Sequence, residues 1–211
     1  MAALVAVVDY SPRVAIVWLL VAQVIDGIDG PIARRWLSDT AKPKYDGYIL
    51  DLVIDYVTCV LVPAFFMYQF NVVPRNAIGM ATIAAVLGSS ALWFSRTEIE
   101  NEEHWFLGFP ASWNMIIPTI FIVSPRTDIN VLICIGLSIL SLTDIQFPHV
   151  LKVKTFRRCT ITLMIVWSLL MVLDSYLLPE TNVVLKYAIL IGPAWLAFVV
   201  VSRMIQNRAP N

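Results

Sequence analysis

The stretch GYILDLVIDYVTCVLVPAFFMYQF, residues 47–70, is apolar almost throughout, and its only charges are Asp51 and Asp55. A run of this kind matches the ~20 residues that a helix needs to cross a bilayer. The two carboxylates stand four residues apart at its start, so they share one helix face. The preceding apolar run, Pro12–Ile28, ends on Asp26, with Asp29 just beyond it. That pair is spaced i, i+3 and again shares a face. An ionised carboxylate in or beside a membrane span is costly and marks a functional site by default.

The rest of the chain supports a membrane reading. Of 211 residues, 59% are hydrophobic and 14% charged, and the mean hydropathy is +0.76. Soluble domains carry about 25% charged residues. In lipid only helices and closed barrels satisfy the backbone. Long apolar runs, rather than alternating short strands, exclude a barrel. The chain is therefore expected to be an all-α, polytopic membrane bundle forming one domain over 1–211. The expected full spans are seven: Pro12–Ile28, Gly47–Phe70, Ala77–Phe94, Phe109–Val123, Ile129–Ile145, Thr160–Leu178 and Val183–Val201. Met1–Val8 reads as the tail of a truncated first helix. No signal-peptide pattern and no internal repeat is visible. Cys59, Cys134 and Cys159 are scattered in apolar runs and read as small buried hydrophobes.

Lysine and arginine set the orientation. Eleven of them (Arg34, Arg35, Lys42, Lys44, Arg96, Lys152, Lys154, Arg157, Arg158, Arg203 and Arg208) fall on one side of this span layout; four (Arg13, Arg75, Arg126 and Lys186) fall on the other. The positive-inside rule places the aspartate-bearing loop and the C-terminus in the cytoplasm. A net charge of zero says nothing of partners, and no nucleic-acid partner is expected.

The two aspartate-bearing spans are antiparallel neighbours, so Asp26, Asp29, Asp51 and Asp55 reach the same depth. Folding that hairpin can gather four carboxylates around one volume. Hard cations such as Mg²⁺ or Mn²⁺ take oxygen ligands and are held by a few carboxylates together with substrate phosphates. Gly27, Gly30 and Gly47 leave room for a ligand near the backbone. Arg34 offers a two-pronged donor for phosphate. These features suit a pyrophosphate-linked substrate with its metal. Asp39 and Asp46 fall off the pattern and read as loop charges.

The run D26-G-I-D29-G30-P-I-A33-R34, followed by G47-Y-I-L-D51-L-V-I-D55, resembles the signature of the CDP-alcohol phosphotransferase family. Twelve residues separate Arg34 from Gly47, a longer spacer than most members carry. That spacer, the stretch H104-W-F-L-G-F-P-A-S-W-N114 and the basic loop F147-P-H-V-L-K-V-K-T-F-R-R158 are similar to the bacterial phosphatidylcholine synthases. The resemblance implies condensation of choline with CDP-diacylglycerol to phosphatidylcholine and CMP, in the bacterial inner membrane, by a homodimer using two divalent ions. It implies that Asp26, Asp29 and Asp51 are metal ligands. Asp55 would be the general base and a further ligand. Asp26, Gly30, Ala33, Arg34 and Gly47 would contact the CDP moiety.

A quaternary ammonium needs aromatic faces or carboxylates, each face contributing ~0.5–2 kcal/mol. Trp105, Phe109, Trp113 and Glu100 are the candidates, with Asn114 and Asp144 as further polar groups on that side. Phe106, Glu102 and Glu103 belong to the same stretch. Trp18, Trp93, Trp167 and Trp195 read as packing or interfacial belt residues. Lys152–Arg158 is expected to meet anionic headgroups, at about 1 kcal/mol per basic residue. His104 and His149 lack metal-ligand spacing, and Asp174 has no expected role. Two other readings remain: the same chemistry on serine, inositol or a glycerol phosphate, and a cation or small-molecule transporter. Transporter acids sit near the midplane between structural repeats, whereas these cluster at one surface.

Overall fold

The computed structural model of the chain describes residues 1–36, 44–123, 126–180 and 182–208, with the backbone alone given for 29–36 and 208. The described elements are α1 (Ala2–Val8), α2 (Pro12–Trp36), α3 (Gly47–Asp55), a π segment (Tyr56–Leu61), α4 (Val62–Gln69), α5 (Ala77–Phe94), β1 (Trp105–Leu107), α6 (Trp113–Val123), α7 (Thr127–Ser141), β2 (Gln146–Pro148), α8 (Arg157–Leu177), α9 (Val183–Ala188) and α10 (Ile191–Arg208). Helices dominate, as the composition requires.

Several starts have local causes. Asp46 caps α3, its Oδ1 accepting from the Tyr48 and Ile49 amides at 2.9 and 3.3 Å. It is thus a helix cap rather than a loop charge, while Asp39 lies outside the described residues. Asn76 caps α5 and Asn182 caps α9 in the same way. Such caps satisfy amides that the first turn leaves without partners.

Among the described residues four helical stretches are long and apolar enough to cross a membrane: Gly47–Gln69, Ala77–Phe94, Arg157–Leu177 and Val183–Asn207. Trp113–Val123 and Thr127–Ser141 are apolar but shorter. Seven full spans are expected from the sequence; among the described residues four reach that length, so the count of seven is not reproduced. The expected span Phe109–Val123 starts only at Trp113, and Ile129–Ile145 ends at Ser141, because the missing residues belong to the loops around β1 and β2. At the other extreme, α2 runs past Ile28 to Trp36.

The bundle interior holds Ile16, Val60, Phe66, Met67, Trp113, Ile117, Trp167 and Met171, all nearly inaccessible. Its polar groups turn inward on the helices: Thr82 donates to the Ile78 carbonyl and Ser90 to that of Val86, at 2.9 and 2.6 Å. The outer faces carry Leu92, Leu132, Ile139, Leu169, Tyr176 and Phe198, all exposed. A soluble surface seldom presents so much contiguous apolar area; a lipid-facing one does. Asp174 lies buried in the last turns of α8, close enough to Lys186 to feel its charge.

Contacts sort the loops onto two ends. Arg13 bonds the Leu178 carbonyl, which joins the start of α2 to the end of α8. Asn130 at the start of α7 donates to the Val72 carbonyl at 2.8 Å. At the opposite end β1 and β2 pair antiparallel, with Trp105 opposite Pro148, Phe106 opposite Phe147 and Leu107 opposite Gln146. The loops after α5 and α7 thereby form one cap, and Arg203 of α10 binds it through Gln146 and Glu103. A Cβ built on Gly27 of α2 would stand 3.6 Å from Leu151 in the loop beyond β2. The acidic end of α2 and the basic loop therefore meet.

Gly108 is the hinge of this cap. Its φ is +82°, and an added Cβ would lie 2.5 Å from the Ser141 carbonyl oxygen. Left-handed backbone and a fixed backbone obstacle both oppose a side chain there. Gly108→Ala should therefore destabilise the protein by about 1–3 kcal/mol, read as a lower Tm of the detergent-solubilised protein.

Candidate active site

Asp26 and Asp55 are half-buried and Asp51 is exposed. Each offers a carboxylate oxygen, and the three oxygens lie within 4.8 Å of one another. Three like charges at that separation repel unless positive charge is shared between them. Hard oxygen donors so arranged fit a divalent cation such as Mg²⁺ or Mn²⁺. The antiparallel approach of α2 and the α3–π helix brings them together. Asp51 and Asp55 come from consecutive turns of α3, and Asp26 comes from α2, which packs on the π segment.

Asp29, Gly30, Ala33 and Arg34 lie in the part of α2 given by its backbone alone, so their side chains are outside the described residues. Gly47 opens α3 with free space where a Cβ would be. The π segment begins one residue after Asp55. Wide turns of this type break the helical register and recur at functional sites. Here Thr58 folds back on the Ile54 carbonyl at 3.0 Å. Cys59, only partly buried, sits within range of the charges of Asp55, Asp26 and Asp51. It packs against the core of the bundle.

The residues expected to hold an ammonium group divide between two places. Phe109 and Trp113 meet edge to face at 5.2 Å inside the bundle, and the Trp113 Nε1 donates to Ser90 Oγ at 2.8 Å. Trp105 packs with Val153 and Val199 under the cap, its ring covered by the Arg203 guanidinium at 4.9 Å. Glu100 is engaged by Lys152 at 3.2 Å and by His104 at 3.3 Å. Asp144 pairs with Arg96, which also binds the Leu107 and Thr143 carbonyls. Trp93 and Trp195 are packing residues with bonded indole N–H groups, on Leu107 and Thr160.

The β1–β2 pair was not legible in sequence, since three-residue strands show no alternation. The aromatic content of Trp105–Leu107 and Gln146–Pro148 was the only signal available. His149 stacks on Phe106 at 5.1 Å and accepts the Leu151 amide on Nδ1. Burial, reinforced by the Lys152 charge, pushes its imidazole down to about 4 from the ordinary 6.5. Neutral in the fold and protonatable when unfolded, it draws protons to the unfolded state. Stability should therefore fall as pH drops from about 6.5 towards 4. Thermal unfolding across that range should show a smaller acid loss for His149→Asn, whose amide oxygen can still accept the Leu151 amide.

Fold and site together define a polytopic helical membrane protein with a cluster of three carboxylates, Asp26, Asp51 and Asp55, that could hold a metal ion. No family model matches the chain. Phosphatidylcholine synthase of Pseudomonas aeruginosa is 33% identical over 165 residues, covering 78% of this chain and 69% of its own length. The phosphatidylcholine synthase of Brucella melitensis is 34% identical over 182 residues (86% and 66%), and that of Rhizobium meliloti 38% over 154 (72% and 63%). The chain belongs to the phosphatidylcholine synthase family. It spans between 63% and 69% of the length of these three relatives.

Proposed function

We propose that this chain condenses choline with CDP-diacylglycerol, releasing CMP and leaving phosphatidylcholine in the membrane. The observation that carries the reading is the convergence of Asp26, Asp51 and Asp55 within 4.8 Å, where α2 meets the start of the apolar stretch Gly47–Gln69. The site lies where a substrate with lipid tails and a water-soluble head would present its pyrophosphate.

In this reading the choline oxygen attacks the phosphorus esterified to diacylglycerol, and the bond from that phosphorus to the oxygen of CMP breaks. Asp55 accepts the hydroxyl proton as the new bond forms; a base so placed contributes ~10²–10⁴-fold. Asp26, Asp51 and Asp29, with Asp55, would hold one or two Mg²⁺ or Mn²⁺ ions, whose charge offsets the pyrophosphate and the departing CMP oxygen. Gly30, Ala33, Arg34 and Gly47 would seat the CDP moiety. Positioning and charge neutralisation supply most of what phosphoryl transfer requires. The eleven-to-four distribution of basic residues supports an active site and C-terminus facing the cytoplasm of the inner membrane. A homodimer belongs to the same reading on family resemblance.

Purified protein supplied with Mn²⁺, CDP-diacylglycerol and labelled choline should form lipid-soluble label with stoichiometric CMP. Label entering lipid only from serine, inositol or a glycerol phosphate would reject choline as the acceptor. Absence of CMP with every alcohol would reject the reaction.

A further inference from the structure

Asn114 stands in the first turn of α6 and is 1% exposed. Its Nδ2 donates to Gln23 Oε1 at 2.6 Å, while its Oδ1 is buried with no hydrogen-bond partner among the described residues. Buried polar atoms left without a partner are uncommon, and each asks for an explanation. Pro118, four residues on, has no N–H to give the main-chain carbonyl of Asn114. Two carbonyl oxygens of one residue thus lack the usual donors in the same turn.

Their position ties them to the carboxylates. Gln23 precedes Asp26 by three residues and shares its face, about 4.5 Å further into the bundle along the axis. Both α2 and the π segment that follows Asp55 pack against α6. The Gln23–Asn114 pair therefore lies in the wedge behind the cation site, about one turn deeper. Trp113, anchored on Ser90, fixes the start of α6 there.

Amide carbonyl oxygens only accept, and they carry partial negative charge. An unpartnered Asn114 Oδ1 of this kind suits a positively charged head better than a phosphate. A small alcohol with a cationic group near its hydroxyl would bring its two ends towards the carboxylates and this pair, which lie about one helical turn apart along α2. We propose that Asn114, oriented by Gln23, receives the cationic head of the acceptor alcohol while its hydroxyl faces Asp55. This rests on the alcohol-transfer reading above and adds to it the place and chemistry of acceptor selection.

The test compares wild type, Asn114→Ala, Asn114→Asp and Gln23→Ala in detergent with Mn²⁺ and CDP-diacylglycerol. The expected result is a choline KM raised ~10-fold or more in Asn114→Ala and Gln23→Ala, with the CDP-diacylglycerol KM within about twofold of wild type. The rise in Tm that choline alone produces without added metal should be lost in Asn114→Ala. Asn114→Asp, which keeps an acceptor oxygen, should retain choline binding. An Asn114→Ala protein that folds with an unchanged choline KM would overturn the inference and leave the reaction intact. Equal rises in both KM values, or Asn114→Ala and Gln23→Ala both failing to fold while Asn114→Asp folds without binding choline, would also overturn it. A wild type that releases no CMP with any alcohol would instead bring down the reaction itself.

Discussion

Asp55→Asn should lower kcat by about 10²–10⁴-fold, while CDP-diacylglycerol still binds. The substitution is nearly isosteric, so the helix and the π segment that begins at the next residue keep their packing. What is lost is the group able to take the proton of the attacking hydroxyl. A small alcohol is a poor nucleophile at neutral pH, and an amide cannot deprotonate it. Because Asp55 also belongs to the carboxylate trio, some metal affinity goes with it. The rate must therefore be measured at saturating Mn²⁺, with CDP-diacylglycerol binding followed separately. An Asp55→Asn protein turning over at the wild-type rate would show that another group serves as base.

Asp51→Asn should act on binding first. Asp51 is the exposed member of the trio, and its oxygen lies within 4.8 Å of those of Asp26 and Asp55. In the proposed site, removing one of three hard, charged donors would weaken the hold on a cation whose selectivity rests on ligand charge and number. The Mn²⁺ concentration giving half-maximal activity should rise by more than about tenfold, and the CDP-diacylglycerol KM with it. Spin-resonance titration of bound Mn²⁺ reads the same loss without turnover. If metal binding were unchanged while kcat alone fell, Asp51 would act on the substrate rather than on the ion.

Much of this site is legible along the chain. The i, i+3 spacing of Asp26 and Asp29 and the i, i+4 spacing of Asp51 and Asp55 put each pair on one helix face, because helical geometry is local. The adjacency of the two helices follows from the short connection between them. The role of Asp46 was also open to reading, as an acidic residue just before an apolar helical run is a common cap. Tryptophan is the opposite case. Trp105 and Trp113 look alike in sequence, yet one lies under a guanidinium beneath the cap and the other is bonded to Ser90 in the core.

Apolar runs and repeated carboxylate spacings determined, from sequence alone, that the chain is a membrane helix bundle whose aspartates gather in one cluster. Their physics is short-ranged: a helix in lipid satisfies its own backbone, and residues three or four apart share a face. Tertiary structure alone decided which apolar runs become full-length helices, and that the loops after α5 and α7 join as a two-stranded cap bound by Arg203. It also decided that Gln23 and Asn114 meet behind the carboxylates. Those contacts join residues 39 to 100 positions apart, and no local propensity encodes which distant partner will satisfy a buried polar group.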